Sequence, residues 1–290
     1  MRGRTDVTEI DRVGVVGAGL MGAGIAEVCA RAGKDVIAVE SSDAAAEAGL
    51  KRLTTSLQRA ESRGKIDSAA DVLTRIRVST DLDDLADRQL VVEAIVEEEH
   101  AKTDLFARLD KIVTAPDAIL ASNTSSIPIM KLGVVTQRPT NVIGIHFFNP
   151  VPVLSLVELV PSLLTSEETH ERARAFVQDD LGKRAIDCQD RAGFVVNALL
   201  IPFILSAIRM MESGFATAED IDQGLVLGAA HPQGPLALAD LIGLDTTKAI
   251  AESLYDEFKE QLYAPPPLLI RMVEAGLLGR KTGRGFYTYG

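Results

Sequence analysis

His146 and Glu158 stand twelve residues apart, and each is odd for its surroundings. His146 closes the β-prone run Val142-Ile143-Gly144-Ile145 and precedes Phe147-Phe148-Asn149-Pro150, so an imidazole is set between a strand and a proline-bounded turn. Glu158 lies inside the otherwise apolar run 154–160, where a carboxylate is costly to bury without a partner. An imidazole supplies one. Such a pair can take a proton from a substrate hydroxyl while the carboxylate stabilises the resulting cation and holds the ring. Two further polar groups end apolar runs: Glu93 with Glu97, and Ser122-Asn123-Thr124-Ser125-Ser126. Taken singly, each has a plain structural reading as a satisfied core histidine, an edge-strand charge or a set of turn caps. Their convergence is what points to catalysis.

The elements that must position them begin at Val13-Gly14-Val15-Val16, which leads into Gly17-Ala18-Gly19-Leu20-Met21-Gly22 and a helical pattern ending at Gly33. Apolar positions 21, 25, 28, 29 and 32 fall on one helical stripe. Gly17 allows the tight turn, Gly19 lets a pyrophosphate approach the backbone, and Gly22 lets helix and strand pack closely. A second β-prone run ends at Glu40, 23 residues past Gly17, where a carboxylate can bind ribose hydroxyls. It would repel a 2′-phosphate, and Ser41 and Ser42 supply no arginine, so NAD is expected over NADP. Strand-like runs at 76–79, 89–92, 118–121 and 141–145, with a helix at 98–113, imply an α/β, doubly wound parallel sheet of Rossmann type. Ligands bind beyond the carboxyl ends of such strands, where the polar residues gather. Residues 44–73 read as an inserted helical hairpin. Its Ser56, Arg59, Arg63 and Lys65 either suit the phosphates of a large anionic substrate or form a solvated face.

The chain has 290 residues, 47% hydrophobic and 24% charged, a globular composition long enough for two units. A net charge of −11 argues against nonspecific binding to nucleic acid or anionic membrane. Cys29 and Cys188 form no CxxC pair, which fits a reducing, cytoplasmic setting. The first ten residues hold no apolar run, so no secretory signal is expected. The greasy stretch 194–211 contains Asn197, Pro202, Ser206 and Arg209 and reads as a buried helix rather than a membrane span. His100, His170 and His231 show no metal-ligand spacing, and no metal is expected. Beyond Cys188 the alternation gives way to helices, which divides the chain into a dinucleotide-binding domain, 1–188, and an all-α domain, 189–290. The long apolar body behind Asn197 exceeds what one surface helix needs, and a homodimer through this domain is expected.

The motifs GAGLMG, VVEAIVE, SNTSS, HFFNPV, LVELV, GFVVN, HPQGPLALADLIGLD and KTGRGFY, spread over nearly the whole chain, resemble the L-3-hydroxyacyl-CoA dehydrogenase family, most closely its single-function 3-hydroxybutyryl-CoA dehydrogenases. The resemblance implies reversible oxidation of an (S)-3-hydroxyacyl-CoA, short-chain by preference, to the 3-ketoacyl-CoA with NAD. It puts the catalytic histidine and its glutamate on His146 and Glu158, and the substrate-holding serine and asparagine on Ser125 and Asn197. It further implies coenzyme contacts from Gly17, Gly19, Leu20, Met21, Gly22, Glu40, Glu97, Lys102 and Asn149, and CoA contacts from Ser56 and Arg63. The helical domain would complete the site and pair two subunits. This chain departs from the family at Glu40, where aspartate is usual, at Arg63, where lysine is common, and at Gln233, where methionine is frequent. Two other readings are a dehydrogenase of a free hydroxy acid such as a sugar acid, and a non-catalytic NAD-binding protein.

Overall fold

A computed structural model describes residues 9–290. Most of the segment read above for a secretory signal, residues 1–8, lies outside the described residues. The chain divides into two compact units between Asp190 and Arg191. Asp190 stays with the first unit because its carboxylate accepts from the amides of Ile129 and Met130 at 2.7 and 2.8 Å.

The first unit alternates strand and helix: β1 (Arg12–Val16), α1 (Leu20–Arg31), β2 (Asp35–Val39), α2 (Asp43–Ser62), α3 (Ala69–Leu73), β3 (Ile76–Ser79), β4 (Leu90–Glu93), α4 (Glu99–Ile112), β5 (Ile119–Ser122), α5 (Ile129–Gly133), β6 (Val142–Phe147), β7 (Leu156–Pro161), α6 (Glu167–Ala175) and β8 (Arg184–Asp187). Its sheet has eight strands in the order β3-β2-β1-β4-β5-β6-β7-β8. Every pairing is parallel except β6 with β7. The inner strands read as continuous apolar runs because helices cover both faces: β4, β5 and β6 are buried along their whole length. The expected doubly wound sheet is thus present, with two strands, β7 and β8, added beyond the runs read from sequence.

Helix α1 departs from the expected single stripe, since its residues from Gly22 to Ala30 are all buried. It packs on β2 with one side and on α2 with the other, and its glycines and alanines permit both contacts. The hairpin is α2 followed by α3. Helix α2 ends at Ser62 with Arg63 as its C-cap, and the chain turns at Gly64, whose φ of +63° favours glycine.

The second unit holds α7 (Val196–Glu212), α8 (Ala218–Ala229), α9 (Pro235–Ile242), α10 (Leu244–Phe258) and α11 (Pro267–Glu274). Ile201, Ile204, Leu205 and Ile208 of α7 form its core with Leu236, Leu244, Leu254 and Leu269. Each contributes roughly 1.5–3 kcal/mol by burial. Asp222 caps α9 through the amides of Leu236 and Ala237, and Asp240 holds the last turn through the amides of Phe286 and Tyr287. Among the described residues no helix is long and apolar enough to cross a membrane.

Candidate active site

The parallel strands β1, β4, β5 and β6 end on one edge of the sheet, and their final residues hand over to the polar groups singled out above. At β1 the chain enters the glycine loop. Gly17 has φ of +93°, and a Cβ there would lie 2.7 Å from the Ala94 carbonyl oxygen. A Cβ on Gly22 would fall 1.7 Å from the Gly17 carbonyl oxygen, so only glycine lets α1 start this close to β1. Gly19 differs: a Cβ there meets nothing within 4 Å, and its backbone borders open space. Leu20 is exposed beside it, and Met21 packs on the core.

Glu40, past the end of β2, aims back at this loop. Its Oε1 accepts from the Ala18 amide at 2.5 Å and its Oε2 from the Ser41 amide at 3.2 Å. A cavity of about 660 Å³ opens here, lined by Gly17, Gly19, Glu40, Thr80, Ile95 and Arg108 among others. Open backbone at Gly19, amides at the start of α1 and a carboxylate set by two amides together fit a dinucleotide, with the pyrophosphate on the loop and ribose hydroxyls at Glu40.

His146, in β6, pairs in register with Glu158 of the antiparallel neighbour β7. Directly opposed residues share a sheet face, which brings the two side chains together. The imidazole Nδ1 lies 2.7 Å from Glu158 Oε2, with His146 4% exposed and Glu158 fully buried. An ionised Glu158 can only accept from Nδ1, and a neutral ring then has its acceptor nitrogen at Nε2. Nε2 lies 3.0 Å from Ser125 Oγ, and Phe148 stands edge-on to the ring with centroids 4.6 Å apart. Asn123 ties the two strand ends together by accepting the Phe147 amide at 2.8 Å.

Beside this pair lies a charged cluster whose connectivity the sequence did not reveal. Lys102, buried on α4, bridges Glu93 Oε1 at 3.0 Å and Glu97 Oε2 at 2.6 Å. Burial pushes the Glu93 carboxyl above its ordinary range, against the opposing pull of Lys102. Burial also raises Glu97, but the Lys102 charge and hydrogen bonds from Lys102, Thr124 and Ser126 outweigh it and leave Glu97 below the ordinary range. The available signal was the carboxylate placed directly after three apolar strand residues in Leu90-Val91-Val92-Glu93.

Ser56 lines a second cleft of about 630 Å³, with Leu20, Arg52, Arg59, Asn149 and Pro150. Arg63, exposed at the C-terminal cap of α2, is not among the described residues lining it. Arg52 is an addition to the sequence reading, and its guanidinium donates to the Ala18 carbonyl at 2.6 Å, under the glycine loop. Asn197 belongs to the second unit, buried near the start of α7. Among the described residues no group of three or more His, Cys, Asp and Glu is placed to hold a metal ion.

A dinucleotide loop and a carboxylate-paired imidazole on one sheet edge fit the class of nicotinamide-dependent oxidoreductases. Comparison with known proteins narrows it. Residues 12–191 match the sequence model of the 3-hydroxyacyl-CoA dehydrogenase NAD binding domain, and residues 193–289 that of the 3-hydroxyacyl-CoA dehydrogenase C-terminal domain. A 3-hydroxybutyryl-CoA dehydrogenase of Mycobacterium tuberculosis is 59% identical over 285 residues, covering 97% of this chain and 99% of that one. The crystal structure of M. tuberculosis FadB2 superposes with a TM-score of 0.96 at 59% identity, over 97% of this chain and 99% of that one. That of (S)-3-hydroxybutyryl-CoA dehydrogenase PaaH1 from Ralstonia eutropha gives 0.91 at 48% identity, over 97% and 100%. The chain belongs to the 3-hydroxyacyl-CoA dehydrogenase family. It is an NAD-dependent oxidoreductase of that family.

Proposed function

We propose that this enzyme interconverts (S)-3-hydroxybutyryl-CoA and acetoacetyl-CoA, with His146 as the acid–base group. The observation that carries the proposal is the 2.7 Å contact between His146 Nδ1 and Glu158, which leaves Nε2 as a proton acceptor at the coenzyme edge of the sheet. NAD supplies a hydride acceptor for C3 of the substrate. The chain's own residues do the rest. His146 Nε2 takes the hydroxyl proton during oxidation and returns it during reduction, and Glu158 balances the imidazolium that forms between. Ser125 Oγ, 3.0 Å from Nε2, holds the reacting oxygen. Gly17, Gly19, Leu20, Met21, Gly22 and Glu40 seat the coenzyme, with Glu97, Lys102 and Asn149 at its nicotinamide side. Ser56, with Arg52 and Arg59 of the same cleft, receives the CoA phosphates, while Arg63, at the C-terminal cap of α2, lies outside that cleft.

The helical unit pairs two subunits: Leu199, Phe215 and Leu227 are 72%, 79% and 80% exposed, apolar surface that a partner copy would cover. Cys29 and Cys188 are free thiols, in keeping with a cytoplasmic enzyme. Steady-state assays with both enantiomers of 3-hydroxybutyryl-CoA and both oxidised nicotinamides test the reading. NAD reduction confined to the S ester supports it. Turnover of free hydroxy acids in preference to CoA esters would overturn it.

A further inference from the structure

Glu93 is the last residue of β4 and is fully buried, an expensive place for a carboxylate. Its burial is offset by three donors: the Ile95 amide at 2.7 Å, Ser122 Oγ at 2.5 Å and Lys102 Nζ at 3.0 Å. The lysine is 1% exposed and is shared with Glu97, whose Oε2 lies 2.6 Å away. The other oxygen of Glu97 is where the turn after β5 converges. Oε1 accepts from Thr124 Oγ1 at 2.5 Å, from the Ser125 amide at 3.0 Å, and from the Ser126 amide and hydroxyl at 3.1 and 3.0 Å. Four donors on one oxygen call for a fully charged acceptor, since charge-assisted hydrogen bonds are the strong ones. With one lysine between two carboxylates, burial disfavours charge on Glu93, while Lys102 and the hydroxyl donors favour it on Glu97. Glu97 is the carboxylate that grips the turn. That turn carries Ser125, whose hydroxyl meets His146 Nε2.

We propose that Glu93, acting through Lys102 and Glu97, is a positioning residue for the reaction: it fixes the 124–126 turn so that the Ser125 hydroxyl stays in line with His146. This rests on the acid–base reading of His146 and Ser125 above. Lys102 is the hinge of the arrangement. Without Glu93 its ammonium loses one of two anchors, Glu97 is free to shift, and the turn shifts with it. Residues that act in one network couple by about 0.5–3 kcal/mol, or roughly two- to 150-fold.

The test is a double-mutant cycle of Glu93→Gln and Ser125→Ala, with kcat, KM for acetoacetyl-CoA and the Kd for NADH measured on all four proteins. Glutamine keeps the shape but removes the charge and turns one of the two acceptor oxygens into a donor. The expected result is an about tenfold fall in kcat for Glu93→Gln, a smaller fall in NADH affinity because Glu97 and Lys102 also stand at the coenzyme, and less than about a twofold further fall in kcat when Ser125 is already alanine. Additive losses in the two backgrounds, or a loss confined to NADH affinity, would overturn the proposal. If Glu93→Gln does not accumulate folded, Ser122→Ala and Thr124→Val take its place, since each removes one donor of the same chain. A wild-type enzyme that turns over no 3-hydroxyacyl-CoA ester refutes the functional reading and this proposal with it. Active wild type with an additive cycle refutes this proposal alone.

Discussion

Replacing Glu158 by glutamine should slow the enzyme by about one to three orders of magnitude while leaving it folded and able to bind coenzyme. The side chain is isosteric, and an amide in place of a buried carboxylate removes a charge that was itself costly to bury. What changes is the imidazole. In the wild type the carboxylate fixes Nδ1 as the donor across 2.7 Å, so Nε2 is always the acceptor. Glutamine can accept from Nδ1 through its oxygen or donate to it through its nitrogen, and in the second case the proton moves to Nε2 and blocks catalysis. Even in the productive orientation, the imidazolium formed in the transition state has lost its counter-charge. A charge-assisted hydrogen bond exceeds a neutral one by about 1 kcal/mol, and a unit pair at about 4 Å attracts by about 4 kcal/mol at an effective dielectric of 20. That range, divided by about 1.4 kcal/mol per decade, gives the stated loss. The assay is acetoacetyl-CoA reduction at saturating NADH, followed by coenzyme absorbance, alongside NADH binding measured by fluorescence. A kcat within about threefold of wild type would refute the reasoning, because it would mean that Glu158 neither selects the tautomer nor balances the cation.

Other outcomes follow from the same geometry. Gly19→Ala should leave the melting temperature within about 2 °C, since its Cβ meets nothing within 4 Å, yet weaken NADH binding at least about tenfold; Gly22→Ala, which would place Cβ 1.7 Å from a carbonyl oxygen, should destabilise the fold by about 1–3 kcal/mol, and calorimetry separates the two. Glu40→Ala should narrow the preference for NAD over NADP, read as the ratio of kcat/KM values, and an enzyme that already prefers NADP would contradict the role given to that carboxylate. Glu97 titrates below its ordinary value in the folded protein, so the unfolded chain binds the proton first as pH falls. The stability it contributes is therefore present above about pH 4.5 and is lost as pH drops through the folded value. Urea unfolding of wild type and Glu97→Gln should show a gap at pH 7 that shrinks below pH 4.5, and a pH-independent gap would contradict the ion-pair account.

Much of this was legible from local pattern. The glycine loop and Glu40 declare themselves because a tight turn, a close phosphate approach and a ribose contact all lie within one β-α-β unit. His146 stood out as a polar residue at the end of an apolar strand. Long-range features were less legible. In the sequence the antiparallel β7 is only an apolar run containing Glu158, and nothing local says that its neighbour in the sheet is β6 or that the register opposes residues 146 and 158. Short β8, with one buried residue in four, carries almost no periodic signal. The Glu93, Lys102 and Glu97 cluster joins a strand end, a helix and a loop, and each residue alone looks like a surface charge. Arg59 and Arg63 are four residues apart, yet of the two only Arg59 lines the cleft with Ser56, because α2 ends at Ser62 and Arg63 is its C-cap.

The most direct test of the account is single-turnover oxidation of (S)-3-hydroxybutyryl-CoA by His146→Ala carrying bound NAD. The account predicts that coenzyme binding stays near wild type while the hydride-transfer rate falls by about two to four orders of magnitude, the contribution of a positioned general base. Transfer at the wild-type rate would show that the hydroxyl proton leaves by another route and that the imidazole at the edge of β6 is structural.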